Sequence, residues 1–241
     1  MSEAIAAELA PTGVLRAAIN MANFLLVTGR SPAGDPEGVA PDMARAIADK
    51  LGVPVQYIPF ERPSGLAEAA GTNVWDIGLI GAEPARAAKI AFTTAYVEIE
   101  ATYLVPSGSP LQNLADVDRA GIRIGVTAGS AYDLWLERNI QNATLVRSNP
   151  QRSAWQQFTE DRLDAYAGLR PGLLSDLAKL PGSHILDGQF TAVQQAIGTS
   201  KANLAGAAFL QNFVENAKAS GMVASLIEKH HVKGLSVAPP A

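Results

Sequence analysis

The sequence predicts an α/β fold, because short apolar runs and amphipathic stretches alternate along most of the chain. Between residues 14 and 96 the order is β-α-β-α-β, which is typical of a parallel sheet with right-handed crossover connections. After a break of proline, serine and glycine at 106–110, a similar order of elements begins again. We therefore predict two halves of similar construction.

The first half is predicted from three apolar runs and one clear helix. Val14–Ile19, Val55–Phe60 and Ile77–Ile80 are short runs with the apolar or alternating pattern of strands. Pro41–Leu51 carries apolar residues at helical spacing, and Gly52 follows it where helices commonly end. These elements account for one parallel sheet.

The second half is entered through a long strand, Val97–Val105, whose alternation predicts one exposed and one buried face. We interpret this strand as a domain crossover, and Phe190–Gly198 as the strand that returns to the first half. Between them we predict strands at Ile122–Val126, Thr144–Val146, Leu163–Ala167 and His184–Leu186, and helices at Ala131–Asn139, Gln151–Glu160 and Leu173–Leu180. Two helices, Ala202–Lys218 and Gly221–His230, follow the return.

Composition excludes several functional classes. The 241 residues carry a net charge of −4 without a block of Lys or Arg, so we expect no nucleic-acid partner. There are no cysteines and no His, Asp or Glu cluster with metal-ligand spacing, so we predict no disulfide, metal or other cofactor. No apolar run approaches the roughly 20 residues of a membrane helix, so we expect no direct membrane insertion.

No catalytic motif is present either. The chain lacks the G-x-S-x-G, H-E-x-x-H, Walker and G-x-G-x-x-G patterns. Ser130 therefore has no nucleophile elbow, and it is better interpreted as a helix cap or an anion contact. We predict no catalytic residues and a protein that is not an enzyme.

The best candidate for a ligand contact is Arg86. It lies in the first turn of a predicted helix, where Glu83 and Pro84 follow Gly81 at the end of an apolar strand. A strand end, helix N–H groups and a guanidinium together suit a carboxylate. Judged by residue type alone, an ordinary surface ion pair of Arg86 is the simpler interpretation.

Other candidates follow strand ends, where open α/β sheets bind ligands. Asn20 and Asn23 lie just beyond the first strand, and turn formation explains them equally well. Tyr132 lies one turn from the predicted start of a helix, and one of Gln194 and Gln195 should face a ligand by strand alternation.

Four segments resemble the type 2 periplasmic solute-binding proteins, in particular the family 3 amino-acid-binding group of ABC importers. They are GVLRAAI, EGVAPDMARAIADKLGVPVQYIPF, WDIGLIGAEPARAAKIAFTTAY and IRIGVTAGSAYDLWL, in that order. The third is similar to the family pattern ending P-E-R-x-x-x-I-x-F-S-x-P-Y, and the fourth to V-G-V-x-x-G-T. The resemblance covers nearly all of Gly13 to His230.

The resemblance implies two α/β lobes with two crossover strands as a hinge, closing on a small solute. Lobe one would comprise 1–104 and 196–241, and lobe two 105–195. The ligand carboxylate would meet Arg86 and the helix start at Gly129, Ser130 and Ala131. The remaining expected ligand contacts are Asn20, Asn23, Phe60, Gly81, Glu83, Tyr132, Arg170 and Gln194.

Two departures from the family pattern affect the expected ligand. The run from Asp76 to Arg86 is about two residues short, and Gly81 with its two successors replaces the usual hydroxyl residues. The family's acidic partner of an α-ammonium is missing near Leu169, where Arg170 follows instead. The two arginines favour an anionic solute without an amine, while Glu83 leaves the opposite interpretation open.

The resulting hypothesis is a solute-binding protein for a small carboxylate, working with the membrane subunit of an ABC-type importer. The alternatives are a dehydratase-like enzyme of the cyclohexadienyl dehydratase type, with Glu83 as its general acid, and a cytoplasmic ligand sensor. The resemblance implies a periplasmic location. The acidic N-terminal residues do not resemble a signal peptide, which leaves a cytoplasmic location open.

Overall fold

The computed structural model describes residues 3–241, and the chain divides into two compact units. Unit one consists of Met1–Glu98 and Gln194–Ala241, and unit two consists of Ile99–Val193. The chain enters unit two within one long strand and leaves it within another. The fold class is α/β, as predicted.

The elements of unit one come first and last along the chain. They are α1 (Glu3–Leu9), β1 (Leu15–Asn20), β2 (Gly29–Arg30), β3 (Pro36–Glu37), α2 (Val39–Leu51), β4 (Val55–Phe60), α3 (Pro63–Glu68), β5 (Ile77–Gly81), α4 (Pro84–Ala87), β6 (Ile90–Phe92) and the start of β7 (Val97–Val105). Unit two continues with a 3-10 turn (Leu114–Asp116), β8 (Arg123–Val126), α5 (Ala131–Asn139), β9 (Thr144–Arg147), α6 (Ala154–Glu160), β10 (Ala165–Leu169), α7 (Arg170–Leu177), β11 (His184–Ile185) and the start of β12 (Thr191–Ser200). The chain then adds α8 (Leu204–Ala219), α9 (Met222–Lys229) and β13 (Ser236–Val237) to unit one.

In the sheet of unit one, β1 lies between β4 and β5 and is parallel to both. The unit-one part of β12 is antiparallel to β5, and β6 is antiparallel to β12. Because the three parallel strands share one direction, Phe60, Asn20 and Gly81 end them at the same edge of the sheet. This edge is where open α/β sheets bind ligands.

Both faces of this sheet are covered by helices. On one face α2, α8 and α9 contribute buried apolar residues such as Ile47, Leu210 and Val223. On the other face Leu66 of α3 packs with Trp75. A sheet covered on both faces is fully buried, which explains why β5 reads as a continuous apolar run.

A forked ion pair joins β1 and β5 at the opposite edge of the same sheet. The Nη2 and Nε atoms of Arg16 donate to the two carboxylate oxygens of Asp76, at 2.6 and 3.0 Å. The backbone N–H of Arg16 also donates to Asp76, at 2.8 Å. This contact fixes the amino ends of the two strands and leaves the carboxyl edge available for other groups.

Unit two repeats the parallel arrangement on a smaller scale. β8 lies between β9 and β10, parallel to both, and β10 is antiparallel to β7. The short strand β11 also pairs with β7. The core packs Val126 and Leu136 on one side of this sheet and Phe158 and Leu173 on the other.

Two predictions about local structure were wrong. β7 is not half exposed: its alternation holds only as far as Glu100, and every residue from Ala101 to Val105 is buried. β10 lies against this part of β7 and helps to enclose it. Helix α7 begins at Arg170, three residues earlier than predicted, because Pro171 is well tolerated in a first turn.

Helix α1 was missed by the sequence reasoning. Its seven residues are too few to form a stable helix alone. Contacts with α8 stabilise it: Leu9 is fully buried, and the Glu8 carboxylate accepts a hydrogen bond from the Gly206 N–H at 2.6 Å. Asn203 donates to the Glu8 carbonyl at 2.9 Å.

We expect an ion pair at the start of α2 to make unit one sensitive to acid. Asp42 accepts hydrogen bonds from Lys229 and His230, each at 2.7 Å. Burial raises the pKa of the Asp42 carboxyl, but the two hydrogen bonds outweigh it and hold that pKa below its ordinary value. The stabilisation is therefore complete above the unfolded-state pKa of about 3.9 and is lost as pH falls below it.

The test is Asp42→Asn, measured by urea unfolding at pH 7 and pH 3. We expect a loss of about 0.5–1 kcal/mol at pH 7, since the pair is partly solvent-screened, and a much smaller loss at pH 3. Asp49→Asn changes an exposed aspartate of the same helix and serves as the control. An equal loss for Asp42→Asn at both pH values would contradict the assignment.

Candidate functional site

The carboxyl edge of the unit-one sheet holds a buried guanidinium. Arg86 is only 6% exposed, and its Nη1 donates to the carbonyl of Gly81 at 2.7 Å. The sequence produces this geometry because β5 stops at Gly81 and Pro84 starts the short helix α4 almost at once. The side chain of Arg86 therefore turns back towards the end of its own strand.

Burial has an electrostatic consequence for Arg86. It lowers the pKa of the guanidinium to about 10, and the negative charge of Glu83 opposes that shift. The side chain remains cationic at neutral pH. Arg86 is therefore not on the surface, as the simpler interpretation expected, and a buried charge of this kind is usually paired.

The other unit-one candidates surround this strand end. Asn20 ends β1 opposite Phe60, in the strand beside β5. The carbonyl of Gln194 accepts a hydrogen bond from the Ala82 N–H at 2.7 Å. The structure thus gathers Asn20, Phe60, Gly81, Arg86 and Gln194 at one edge of unit one.

The two asparagines are also turn formers. The side-chain oxygen of Asn20 accepts from the Ala22 N–H, and that of Asn23 accepts from the Leu25 N–H, both at 3.2 Å. Asn23 is 6% exposed, whereas its neighbour Phe24 is 52% exposed. Turn formation therefore accounts for one oxygen of each asparagine, and their roles in ligand binding stay predictions.

In unit two, the start of α5 is held by its own side chains. The Ser130 hydroxyl caps the helix and accepts from the Asp133 N–H at 3.1 Å. The Asp133 carboxylate accepts from the Gly129 N–H at 2.8 Å and pairs with Arg147 at 2.8 Å. The N–H groups of Ala131 and Tyr132 come next in the first turn.

This internal carboxylate was missed by the sequence reasoning. Asp133 is 2% exposed and lies three residues after Ser130, the spacing of a capping box. That spacing was the available signal. The Gly129 N–H at the helix start is therefore already bonded within unit two.

Two further unit-two candidates are held by neighbouring groups. Burial raises the pKa of the Tyr132 phenol, against the opposing effect of hydrogen bonds with the side chains of Thr127 and Ser130. Arg170 donates from Nε to the Glu100 carboxylate at 2.6 Å, and from Nη2 to the Gly188 carbonyl. Arg170 is thus paired within unit two, and its contact with a ligand stays a prediction.

A groove of about 640 Å³ lies elsewhere on unit one, where α8 and α9 meet α2. Phe209, Phe213 and Met222 line it, with Lys50 among the polar residues. This groove contains none of the residues gathered at the carboxyl edge of the sheet. We therefore place the candidate site at Arg86, because of its charge and burial, and not in the groove. Within residues 3–241 no three His, Cys, Asp or Glu side chains are grouped to hold a metal ion.

Comparison with known proteins identifies the family. A family model described as bacterial extracellular solute-binding proteins, family 3, matches residues 22–233. The chain belongs to this family. The resemblance predicted from the four sequence segments is thereby confirmed, and the two units are those of a type 2 periplasmic-binding-protein fold. A comparison with curated protein sequences found no match.

Solved structures agree on the fold. A mutant of ArgBP from T. maritima has a TM-score of 0.74 at 22% identity, covering 95% of this chain and 100% of that one. An L-arginine-bound amino acid ABC transporter substrate-binding protein from Streptococcus pneumoniae gives 0.72 at 20%, covering 93% and 98%. The ancestral amino acid-binding protein AncCDT-1, a precursor of cyclohexadienyl dehydratase, gives 0.73 at 21%, covering 94% and 98%.

No helix within residues 3–241 has the length and apolar character required to cross a membrane.

We expect the Ser130 cap to contribute measurably to stability. Ser130→Ala should lower the free energy of unfolding by about 1 kcal/mol, because the Asp133 N–H loses its acceptor. Ser153→Ala is the matched variant, since Ser153 caps α6 in the same unit and accepts from the Gln156 N–H at 3.1 Å. Urea unfolding of both variants measures the free energy of unfolding. If Ser130→Ala has the wild-type value, the assignment of Ser130 as a stabilising cap is wrong.

Proposed function

We propose that the chain captures a small carboxylate-bearing solute and delivers it to the membrane subunit of an ABC-type importer, without transforming it. Membership of the solute-binding family supports ligand capture. The observation that carries the carboxylate is the buried Arg86 at the end of β5, 6% exposed and held against Gly81. A planar guanidinium offers two parallel N–H donors, which match the two oxygens of a carboxylate.

The electrostatics of the strand end favour an anion. Burial weakens solvent screening, so the charge of Arg86 acts strongly on a group that reaches it. A carboxylate on the guanidinium would replace some of the hydrogen bonds to water that Arg86 loses when the chain folds. Glu83 lies close enough to oppose the pKa shift, and the ligand would share the guanidinium with it.

The named function of the solved relatives supports transport over catalysis. The Streptococcus pneumoniae protein is a transporter substrate-binding protein, bound to L-arginine. The family description places its members outside the cell membrane, and we propose the same working location for this chain. Its amino-acid-binding relatives make amino acids the first compounds to test, beside acids without an amine.

A dehydratase-like activity is the second candidate. Its support is the position of Glu83, a carboxyl group that is 9% exposed near the Arg86 charge and the candidate general acid of such an enzyme. The two functions differ in what happens to the bound compound. A ligand recovered unchanged after long incubation, by NMR or mass spectrometry, supports binding alone, whereas conversion supports the enzyme.

The central test replaces Arg86. We expect Arg86→Lys to weaken binding of a carboxylate ligand by about 10- to 100-fold, because one ammonium cannot reproduce two parallel charge-assisted hydrogen bonds. Thermal shift with a panel of amino acids, hydroxy acids and dicarboxylates identifies the ligand, and calorimetry measures its affinity. A ligand at 100 times its dissociation constant adds about 2.7 kcal/mol to the unfolding free energy.

Arg16→Lys is the matched control. Arg16 also lies in unit one and also forms side-chain hydrogen bonds, but at the amino edge of the sheet. We expect it to lower stability and leave affinity unchanged. Full affinity in folded Arg86→Lys would remove Arg86 from the site, and loss of affinity in both variants would point to a general effect on unit one.

A further inference from the structure

Three buried side-chain oxygens within residues 3–241 have no hydrogen-bond partner. They are the Tyr96 hydroxyl and the Oε1 atoms of Gln157 and Gln195. A buried acceptor without a partner is destabilising, and each such group requires an explanation. Of the three, Gln195 has the clearest relation to the candidate site.

Gln195 lies directly across from the strand end that Arg86 contacts. In the antiparallel pair of β12 and β5, Gln195 is the partner of Gly81. The Gly81 carbonyl accepts from Arg86 Nη1 at 2.7 Å. Opposed residues of such a pair point to the same face, and their Cβ positions are about 5 Å apart. Since Gly81 has no side chain, no side chain of β5 faces Gln195 at this position.

The neighbouring residue does not show the same feature. Gln194 points to the other face by strand alternation, and its side chain is half-buried. Gln195 is 4% exposed. An amide of this kind has one oxygen acceptor, and here that acceptor has no hydrogen-bond partner in the fold, on a residue whose cross-strand partner is the Gly81 that Arg86 contacts.

We propose that Gln195 is a specificity-determining residue of the unit-one site, whose amide oxygen accepts a hydrogen bond from a hydroxyl group on the ligand. This inference rests on the proposed function, since Arg86 holds the carboxylate of the same ligand. The preferred ligand class is hydroxy acids. A site that uses a buried acceptor rejects the analogue that lacks the donor, because the acceptor then remains unpaired.

A hydroxyl fits this acceptor better than an ammonium does. A hydroxyl brings one donor, which one amide oxygen satisfies. An ammonium brings three donors and a full charge, and a neutral amide compensates neither the charge nor the remaining donors. The one carboxylate identified beside Arg86, that of Glu83, already interacts with the guanidinium charge.

The test compares ligands that differ in one group. The probes are succinate, L-malate and L-aspartate, and propanoate, L-lactate and L-alanine, which carry hydrogen, hydroxyl or ammonium at the same carbon. We expect the wild-type protein to bind a hydroxy acid about tenfold more tightly than its parent acid. In Gln195→Leu this ratio should fall to about one, while binding of the parent acid persists.

Gln157→Leu is the matched control. Gln157 is 3% exposed and has the same unpaired oxygen, but it lies on α6 in unit two. It should retain the full hydroxyl preference. Both variants exchange an amide whose oxygen is unpaired for an apolar side chain of similar size, and we expect both to fold; Gln195→Met replaces Gln195→Leu if that variant does not.

Each outcome decides the inference. A hydroxyl preference lost in Gln195→Leu and kept in Gln157→Leu supports it. A preference kept in Gln195→Leu, a wild-type protein that prefers the parent or the amino acid, or a loss in both variants overturns it. If binding depends on Arg86 without a hydroxyl preference, only the role of Gln195 fails; if none of the six probes binds, or if binding is independent of Arg86, the proposed carboxylate function fails with it.

Discussion

The burial of one charged side chain is the constraint on which this account depends. Arg86 is a guanidinium that unit one keeps almost out of water, at the point where β5 ends. Such burial is unfavourable unless the charge and the donors are used. The fold supplies the Gly81 carbonyl and the charge of Glu83. The packing of β1, β4 and β5 into one parallel set brings the polar strand ends to the same edge.

The two units treat charge differently. Unit one holds a buried cation, Arg86, at its strand ends beside the charge of Glu83, whereas in unit two Asp133 accepts from the Gly129 N–H at the start of α5 and is itself paired with Arg147. Arg170 is likewise paired with Glu100 inside unit two. From the sequence, Arg86 and Arg170 together favoured an anionic solute. In the structure Arg86 is the more deeply buried of the two, so it is the stronger candidate for the anion contact.

Much of the fold was predictable because its signals are local. β4, β7 and α5 have the predicted bounds, since turn residues and periodicity mark them clearly. The features that were missed depend on partners far along the chain. Helix α1 exists through contacts with α8, almost 200 residues away, and the burial of β7 depends on β10.

The candidate site follows the same rule. The location of Arg86 at a strand end could be predicted, because strand, glycine, proline and arginine follow one another within a few residues. The state of its side chain could not, since burial is a property of the assembled sheet. Gln195 illustrates the limit most clearly: alternation indicated that one of two glutamines would face a ligand, but only the pairing of β12 with β5 shows which of them lies across from Gly81.

The most direct measurement is a crystal structure of the protein with a bound carboxylate from the ligand panel. We expect two carboxylate oxygens about 2.7–2.9 Å from the guanidinium nitrogens of Arg86, at the carboxyl edge of the unit-one sheet. A ligand whose carboxylate lies elsewhere, while Arg86 contacts only groups of its own chain, would contradict it.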